Sequence, residues 1–189
     1  MASGYHHGNV REATLDAARA MLDDVPIDRI SLREVARSAG ISHAAPYKHF
    51  PDRADFVRAL AARCMREWIA EQRAAMGDAP DPRQRLVALG GSYIGWAASN
   101  PRAFQLVFDP VVATADGPPE LLEQQREHRE LLSGTLAEVV GARRLPASRS
   151  VGDIEQGLWG AVHGLAHLVI LKQVQPQAVP GILGALTDP

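Results

Sequence analysis

The chain of 189 residues contains a single cysteine, Cys64, so no disulfide can form within it and no cysteine-based zinc site can be built. A reducing, intracellular setting fits. Aromatic residues are also scarce, at 5%, while 30 positions are Ala and 19 are Leu; this balance favours helix over sheet, whose strands draw on Val, Ile and aromatic side chains. Long apolar runs are lacking. The longest, Leu158 to Leu171, falls short of the roughly 20 residues that cross a bilayer and is interrupted by His163 and His167, so it reads as a buried helix and no membrane partner is expected. Met1 to Asn9 contains no apolar run of the kind that marks a signal peptide, and a cytoplasmic location is expected. A formal net charge of -2 beside 46% hydrophobic residues argues against disorder and against a generally basic nucleic-acid binder. A basic surface confined to one small region remains compatible with it. There is no Gly-rich phosphate loop, nucleophile elbow or His-Glu-x-x-His run, so neither catalysis nor a cofactor is expected.

What is present is helical punctuation. Asn9 and Glu12 can cap a first helix to about Asp24 that places Val10, Ala13, Ala17, Met21 and Leu22 on one face. Ser31 and Glu34 form a second capping box, opening a two-turn helix that Gly40 ends. After Ile41, Ser42 is a good N-cap for a third short helix from His43 to about His49, stopped by Pro51. A long helix follows Asp52, with apolar pairs four apart at Phe56/Val57, Leu60/Ala61, Cys64/Met65 and Trp68/Ile69. Further helices are expected at about 83–99, 102–108, 120–140, 151–174 and 179–186, with the Pro-rich loop 109–119 and the loop 141–150 between them. The fold class is all-α.

The segment Ser31 to Phe50 reads SLREVARSAGISHAAPYKHF. Two short helices joined by Ala-Gly-Ile-Ser match a helix-turn-helix, in which the first helix braces and the second enters the major groove. His43, Tyr47, Lys48 and His49 can face outward, with small Ala44 and Ala45 between them where a backbone could approach base edges. The turn Ala39 to Ser42, Tyr47, His49, Phe50 and the basic Arg53 resemble the TetR family of bacterial transcriptional regulators over Tyr5 to about Leu60. The sequence departs from the common family form at Ala44, Ala45 and Pro46, where Gly, Thr and Leu are more typical.

That resemblance implies a helix-turn-helix DNA-binding domain over 1–51 and a larger helical domain over 52–189 that dimerises and holds an effector. It also implies that Arg33, Lys48 and Arg53 face the duplex, that Tyr47 and His49 donate to phosphates, and that Ser42, His43, Ala44 and Ala45 lie in the contact surface. From Met1 to Leu60 there are 8 Arg and Lys and 8 Asp and Glu, so only segregation of charge can attract DNA.

In the second half, Leu158-Trp159-Gly160-Ala161-Val162-His163-Gly164 resembles the Trp-His-Gly signature of one TetR C-terminal class. Gly157, Gly160 and Gly164 fall on one helical stripe, and Gly inside a helix costs about 0.5 to 1 kcal/mol against Ala, which points to close contact with another helix and, through the family, to a homodimer interface. Tyr93, Trp96, Phe104 and Phe108, with Trp159 and His163, are expected to line an apolar effector pocket. His163 and His167, four apart, have metal-ligand spacing without an evident third ligand. The expected function is a ligand-responsive regulator read first as a repressor on a double-stranded, palindromic operator. An activator, a ligand-independent DNA binder and, further off, a helical metal-dependent enzyme are the alternatives.

Overall fold

The computed structural model describes residues 10–77, 79, 81–113, 117–143 and 150–187. Among them lie α1 (Val10–Leu22), α2 (Leu32–Ser38), α3 (Arg53–Met76), α4 (Pro82–Ser99), α5 (Pro101–Val107), α6 (Pro119–Arg143), α7 (Val151–Ile170) and α8 (Val179–Thr187), with 3-10 turns at Ile27–Arg29, Pro46–Lys48 and Pro176–Ala178. The described residues include no strand, and the all-α expectation is met. The proposed Asn9 cap and the start of the family resemblance at Tyr5 lie outside the described residues.

Two helix expectations are corrected. The segment His43 to His49 does not form an α-helix; it holds one 3-10 turn, Pro46–Lys48. Pro46 has no N–H to bond back to Ser42, so the ladder that would carry a helix through the segment is broken at its second turn. The last long helix ends at Ile170 rather than near Val174, because Lys172 takes a left-handed conformation (φ 59°). The N–H groups of Lys172 and Gln173 then close onto the carbonyls of Val169 and Leu168 at 2.9 and 2.8 Å, the reciprocal pattern that terminates helices.

By compactness the chain divides into two units. One comprises Met1–Cys64 with Arg102–Leu122, the other Met65–Pro101 with Glu123–Pro189, so this division into compact units falls inside α3. In the first unit α1 packs on α2 over Leu15, Ala18, Leu22, Ile30, Val35 and Phe50, all buried. Phe50 meets Phe56 of α3 edge-on, with ring centroids 5.6 Å apart. The guanidinium of Arg63 on α3 pairs with Glu12 (2.8 Å) and Asp16 of α1.

Local chemistry sets the turn between α2 and residues 42–50, the reading segment. The Ser31 hydroxyl accepts from the Glu34 N–H while the Glu34 carboxylate accepts from Ser31, and these bonds hold the carboxyl below its usual range. At the other end Gly40 stands at φ 65°, the N–H of Ile41 reaches the Ala36 carbonyl (3.0 Å) and that of Gly40 reaches Arg37 (3.2 Å).

In the second unit α4 packs against both α7 and α8. Leu86, Leu136 and Val139 form a buried cluster that joins α4 to α6, with Ile154 and Leu158 of α7 packed on it. Trp68 is fully buried, stacked on Trp96 at 5.0 Å and edge-on to Tyr93 at 4.6 Å.

Gly40→Ala tests the turn. A Cβ there would meet nothing within 4 Å, so the cost is conformational alone, about 1 to 2 kcal/mol for a left-handed non-Gly residue; the urea midpoint should fall with an unchanged slope.

Candidate functional site

The reading segment presents its polar groups outward. Ser42, His43, Ala44, Tyr47, Lys48 and His49 are exposed, Ala45 is half-buried, and Pro46 and Phe50 point into the core. Tyr47 is 56% exposed, a high value for an aromatic ring beside a well-packed core. The structure thus brings together the expected contact residues, although on a tight turn in place of a helix. Arg33 and Arg37, four apart on α2, share one open polar concavity with His43, Ser31 and Glu34. Sequence reasoning passed over Arg37, and the signal was its helical spacing from Arg33.

Arg53 is placed differently from expectation. Its guanidinium donates to the Ile30 carbonyl (2.9 Å) and the Ile27 carbonyl (2.5 Å), tying the start of α3 to the chain just before α2. Its first duty is structural, and a phosphate could be met only by the N–H groups left over.

In the second unit, α3, α4, α6, α7 and α8 enclose an apolar cavity whose walls include Leu86, Leu132, Leu158, Val162 and Leu183. Its interior volume is about 50 Å³, within about 580 Å³ of space that includes its mouth. Tyr93 and Trp159 line it, as expected; Gln72, His128 and Thr187, which sequence reasoning missed, line it too. Gln72 continues the register of Cys64/Met65 and Trp68/Ile69 along α3, so a polar side chain at a core position was the available signal. Trp96 does not line this cavity, being spent on its stack with Trp68, and Phe104 and Phe108 pack edge-on against each other at 5.0 Å in the first unit. The expected cluster of four aromatics is therefore divided between separate cores.

His163 reaches the cavity through Tyr93, whose hydroxyl lies 2.8 Å from His163 Nδ1. Burial pushes the pKa of the Tyr93 phenol well above its ordinary value, and a hydrogen bond from Trp159 to the same side chain opposes that shift. His163 and His167 meet at 3.2 Å between their Nε2 atoms, and burial, then the neighbouring His167, lowers the pKa of His163. Among the described residues no group of three or more His, Cys, Asp or Glu could hold a metal ion. His128 lies against Trp68 at 4.5 Å, and burial, then Arg129, pushes its pKa down to about 4, so it is neutral at pH 7.

On α7, Gly157, Gly160 and Gly164 are exposed, and a Cβ on any of them would meet nothing within 4 Å. Among the described residues they face no other helix at contact distance. Leu168 and Leu171 continue the same stripe and are exposed as well. No helix among the described residues is long and apolar enough to cross a membrane.

A capped brace helix, a glycine turn and an exposed polar reading segment define a helix-turn-helix regulator. Residues 15–60 match the tetR family of bacterial regulatory proteins, and residues 86–181 match the tetracyclin repressor-like C-terminal domain, a general description in place of the Trp-His-Gly class. The chain belongs to the TetR family. It is 27% identical to a protein of unknown function from Rhodococcus sp. RHA1, with a TM-score of 0.83 over 98% of this chain and 97% of that one. The fold is shared with the transcriptional regulator FadR of Bacillus subtilis, solved with stearoyl-CoA, at a TM-score of 0.72 and 15% identity over 94% of this chain and 97% of that one. A stretch of 52 residues is 42% identical to the nucleoid occlusion factor SlmA of Idiomarina loihiensis, covering 28% of this chain and 26% of that protein.

The neutral His128 makes a pH prediction. Between about 6.5 and 4 the unfolded chain takes up a proton on this imidazole that the folded chain refuses, so the His128 contribution should lower stability as pH drops through that window and change no further below it. His128→Gln should make the decline of the urea midpoint shallower, the remainder coming from groups such as His163.

Proposed function

We propose that this regulator is a homodimeric repressor that binds a palindromic operator and is released from it by a small, mainly apolar effector. The observation that carries the reading is that one chain joins a helix-turn-helix unit to a second unit with its own apolar cavity. The stearoyl-CoA held by the Bacillus subtilis FadR supports a small-molecule role for the second unit in this fold. The protein acts by binding, without a chemical step.

Arg33, Arg37 and Lys48 supply positive charge to phosphates, Tyr47 and His49 donate hydrogen bonds to them, and His43 with the small Ser42, Ala44 and Ala45 approaches base edges. The exposed stripe Gly157, Gly160, Gly164, Leu168 and Leu171 supports dimerisation through α7, because apolar surface and bare backbone on one helix face suit a self-complementary contact. An effector works by favouring a dimer shape in which the two reading segments no longer match major grooves about 34 to 36 Å apart. Tyr93 and Trp159 face the effector, and His163 acts through Tyr93.

Selecting fragments from random duplex DNA with the purified protein should return a palindrome; recovery of no common sequence would reject the reading. On that operator Lys48→Ala should weaken binding and lower the salt slope by about one phosphate unit at unchanged Tm. Arg53→Ala should behave otherwise, lowering stability by about 1.5 to 3 kcal/mol because two charge-assisted bonds to carbonyls are lost.

Gly160→Leu tests the interface cleanly, since the chain's own packing leaves room for the side chain. Sedimentation should show a shift to monomer with Tm of the monomeric chain preserved, and binding to a two-half-site operator should fall more than binding to a single half-site. A mutant that stays dimeric places the interface elsewhere.

A further inference from the structure

The cavity of the second unit carries a chemical signature that narrows what enters it. Among the described residues that line it there is no Lys, Arg, Asp or Glu. Its polar groups are the Gln72 amide, the Tyr93 hydroxyl, the Trp159 indole N–H, the His128 ring and the Thr187 hydroxyl. Most have a settled environment. The Tyr93 hydroxyl is engaged by His163 and Trp159, the Thr187 hydroxyl donates to the Leu183 carbonyl at 2.9 Å, and His128 lies against the Trp68 ring in its neutral form. Gln72 is the exception: it is only 1% exposed, and its Oε1 has no hydrogen-bond partner among the described residues.

A buried carbonyl oxygen without a donor is costly, and native proteins rarely tolerate one without a reason. Here it lies in the wall of the cavity that the proposed function assigns to the effector. An anion entering that space would lose its water and find no cation, a penalty that hydrogen bonds to neutral groups do not repay. A cation would equally lack a carboxylate. A molecule that brings a neutral O–H or N–H to Gln72 Oε1 satisfies the orphan and buries its remaining surface against Leu86, Leu132, Leu158, Val162 and Leu183. Size adds a second limit: the 50 Å³ of interior space is about a third of the roughly 150 Å³ that holds a benzene ring, so a single ring enters only by using part of the space at the mouth, and a long chain would lie largely outside.

We propose that this cavity binds a compact, uncharged molecule with an apolar body and one hydrogen-bond donor, of the phenol or small-alcohol class, and that the donor is received by Gln72 Oε1. The proposal rests on the effector-responsive reading above and specifies the chemistry of the same site.

The test uses the full-length protein and three probes that share one ethyl-substituted ring: 4-ethylphenol, 4-ethylanisole, which lacks the donor and is one methyl larger, and 4-ethylbenzoate, which is charged. Binding is followed by tryptophan fluorescence and calorimetry. The phenol should bind about tenfold tighter than the anisole, the worth of one neutral hydrogen bond, and the benzoate should not bind measurably. Gln72→Leu, which replaces the orphan with apolar bulk, should keep binding both neutral probes and erase the difference between them. Equal affinity for phenol and anisole on the wild-type chain, benzoate binding as tightly as the phenol, or no binding by any probe would each overturn the proposal. If Gln72→Leu fails to fold by circular dichroism, the wild-type comparison decides. Operator binding separates the two readings: a phenol that binds with this Gln72 dependence but leaves operator affinity unchanged upholds the ligand chemistry and rejects effector release. Coupled binding would instead reduce operator and phenol affinities by the same factor.

Discussion

The second unit is organised around one buried indole. Trp68 is stacked on Trp96, meets Tyr93 edge-on and lies against His128, so a single side chain of α3 sets the positions of rings from α4 and α6. Aromatic packing of this kind is stiff, since each ring must sit within a narrow range of offsets and angles. The stiffness fixes Tyr93 and His128 in the wall of the cavity. It also holds α3 in the register that directs Gln72, one turn beyond Trp68, toward the same space. The cavity is thus the gap left where the indole's neighbours end and the leucines of α4, α7 and α8 begin.

The first unit rests on a different constraint, the direction of the chain on either side of Gly40. The capping box at Ser31 fixes where α2 starts, and the left-handed glycine fixes where it stops. Between them the exposed face of α2 carries Arg33 and Arg37. Arg53 completes the frame from the far side by holding the carbonyls of Ile27 and Ile30. With both flanks anchored, the reading segment keeps its polar groups outward even though Pro46 denies it a full helix.

Most of the fold was legible because it depends on local signals. Capping residues, Gly and Pro punctuation and the four-residue apolar spacing of α3 each act within one or two turns, and these placed the helices to within a few residues. The reading segment departs from the helical expectation for an equally local reason: the outward pattern of His43, Tyr47, Lys48 and His49 suits a helix, but Pro46 stands in the middle of it. The cavity was less legible because it is a matter of tertiary arrangement. Tyr93, Trp96, Phe104 and Phe108 are close in sequence, yet two of them serve a different compact unit and one is consumed by an indole stack. Gln72 and His128 come from helices that only the folded chain brings together. The glycines of α7 stand out by composition alone, but what faces them is set by tertiary arrangement, and among the described residues nothing lies within 4 Å of a Cβ placed on any of them.

The row of rings along α7 has a property of its own. Tyr93 hydroxyl, His163 Nδ1, His163 Nε2 and His167 Nε2 follow one another at 2.8 Å and 3.2 Å across the two contacts. A neutral imidazole carries one proton, so both contacts can be hydrogen bonds only if they run the same way. Either Tyr93 donates to Nδ1 and His163 donates to His167, or His167 donates to His163 and Nδ1 donates to the phenol oxygen. The heavy atoms stay where they are in both arrangements. The tautomer of an exposed histidine is therefore tied to the orientation of a hydroxyl hydrogen in the interior, and a change of one proton's address at the cavity wall is legible, unshifted in distance, on the outer face of the helix.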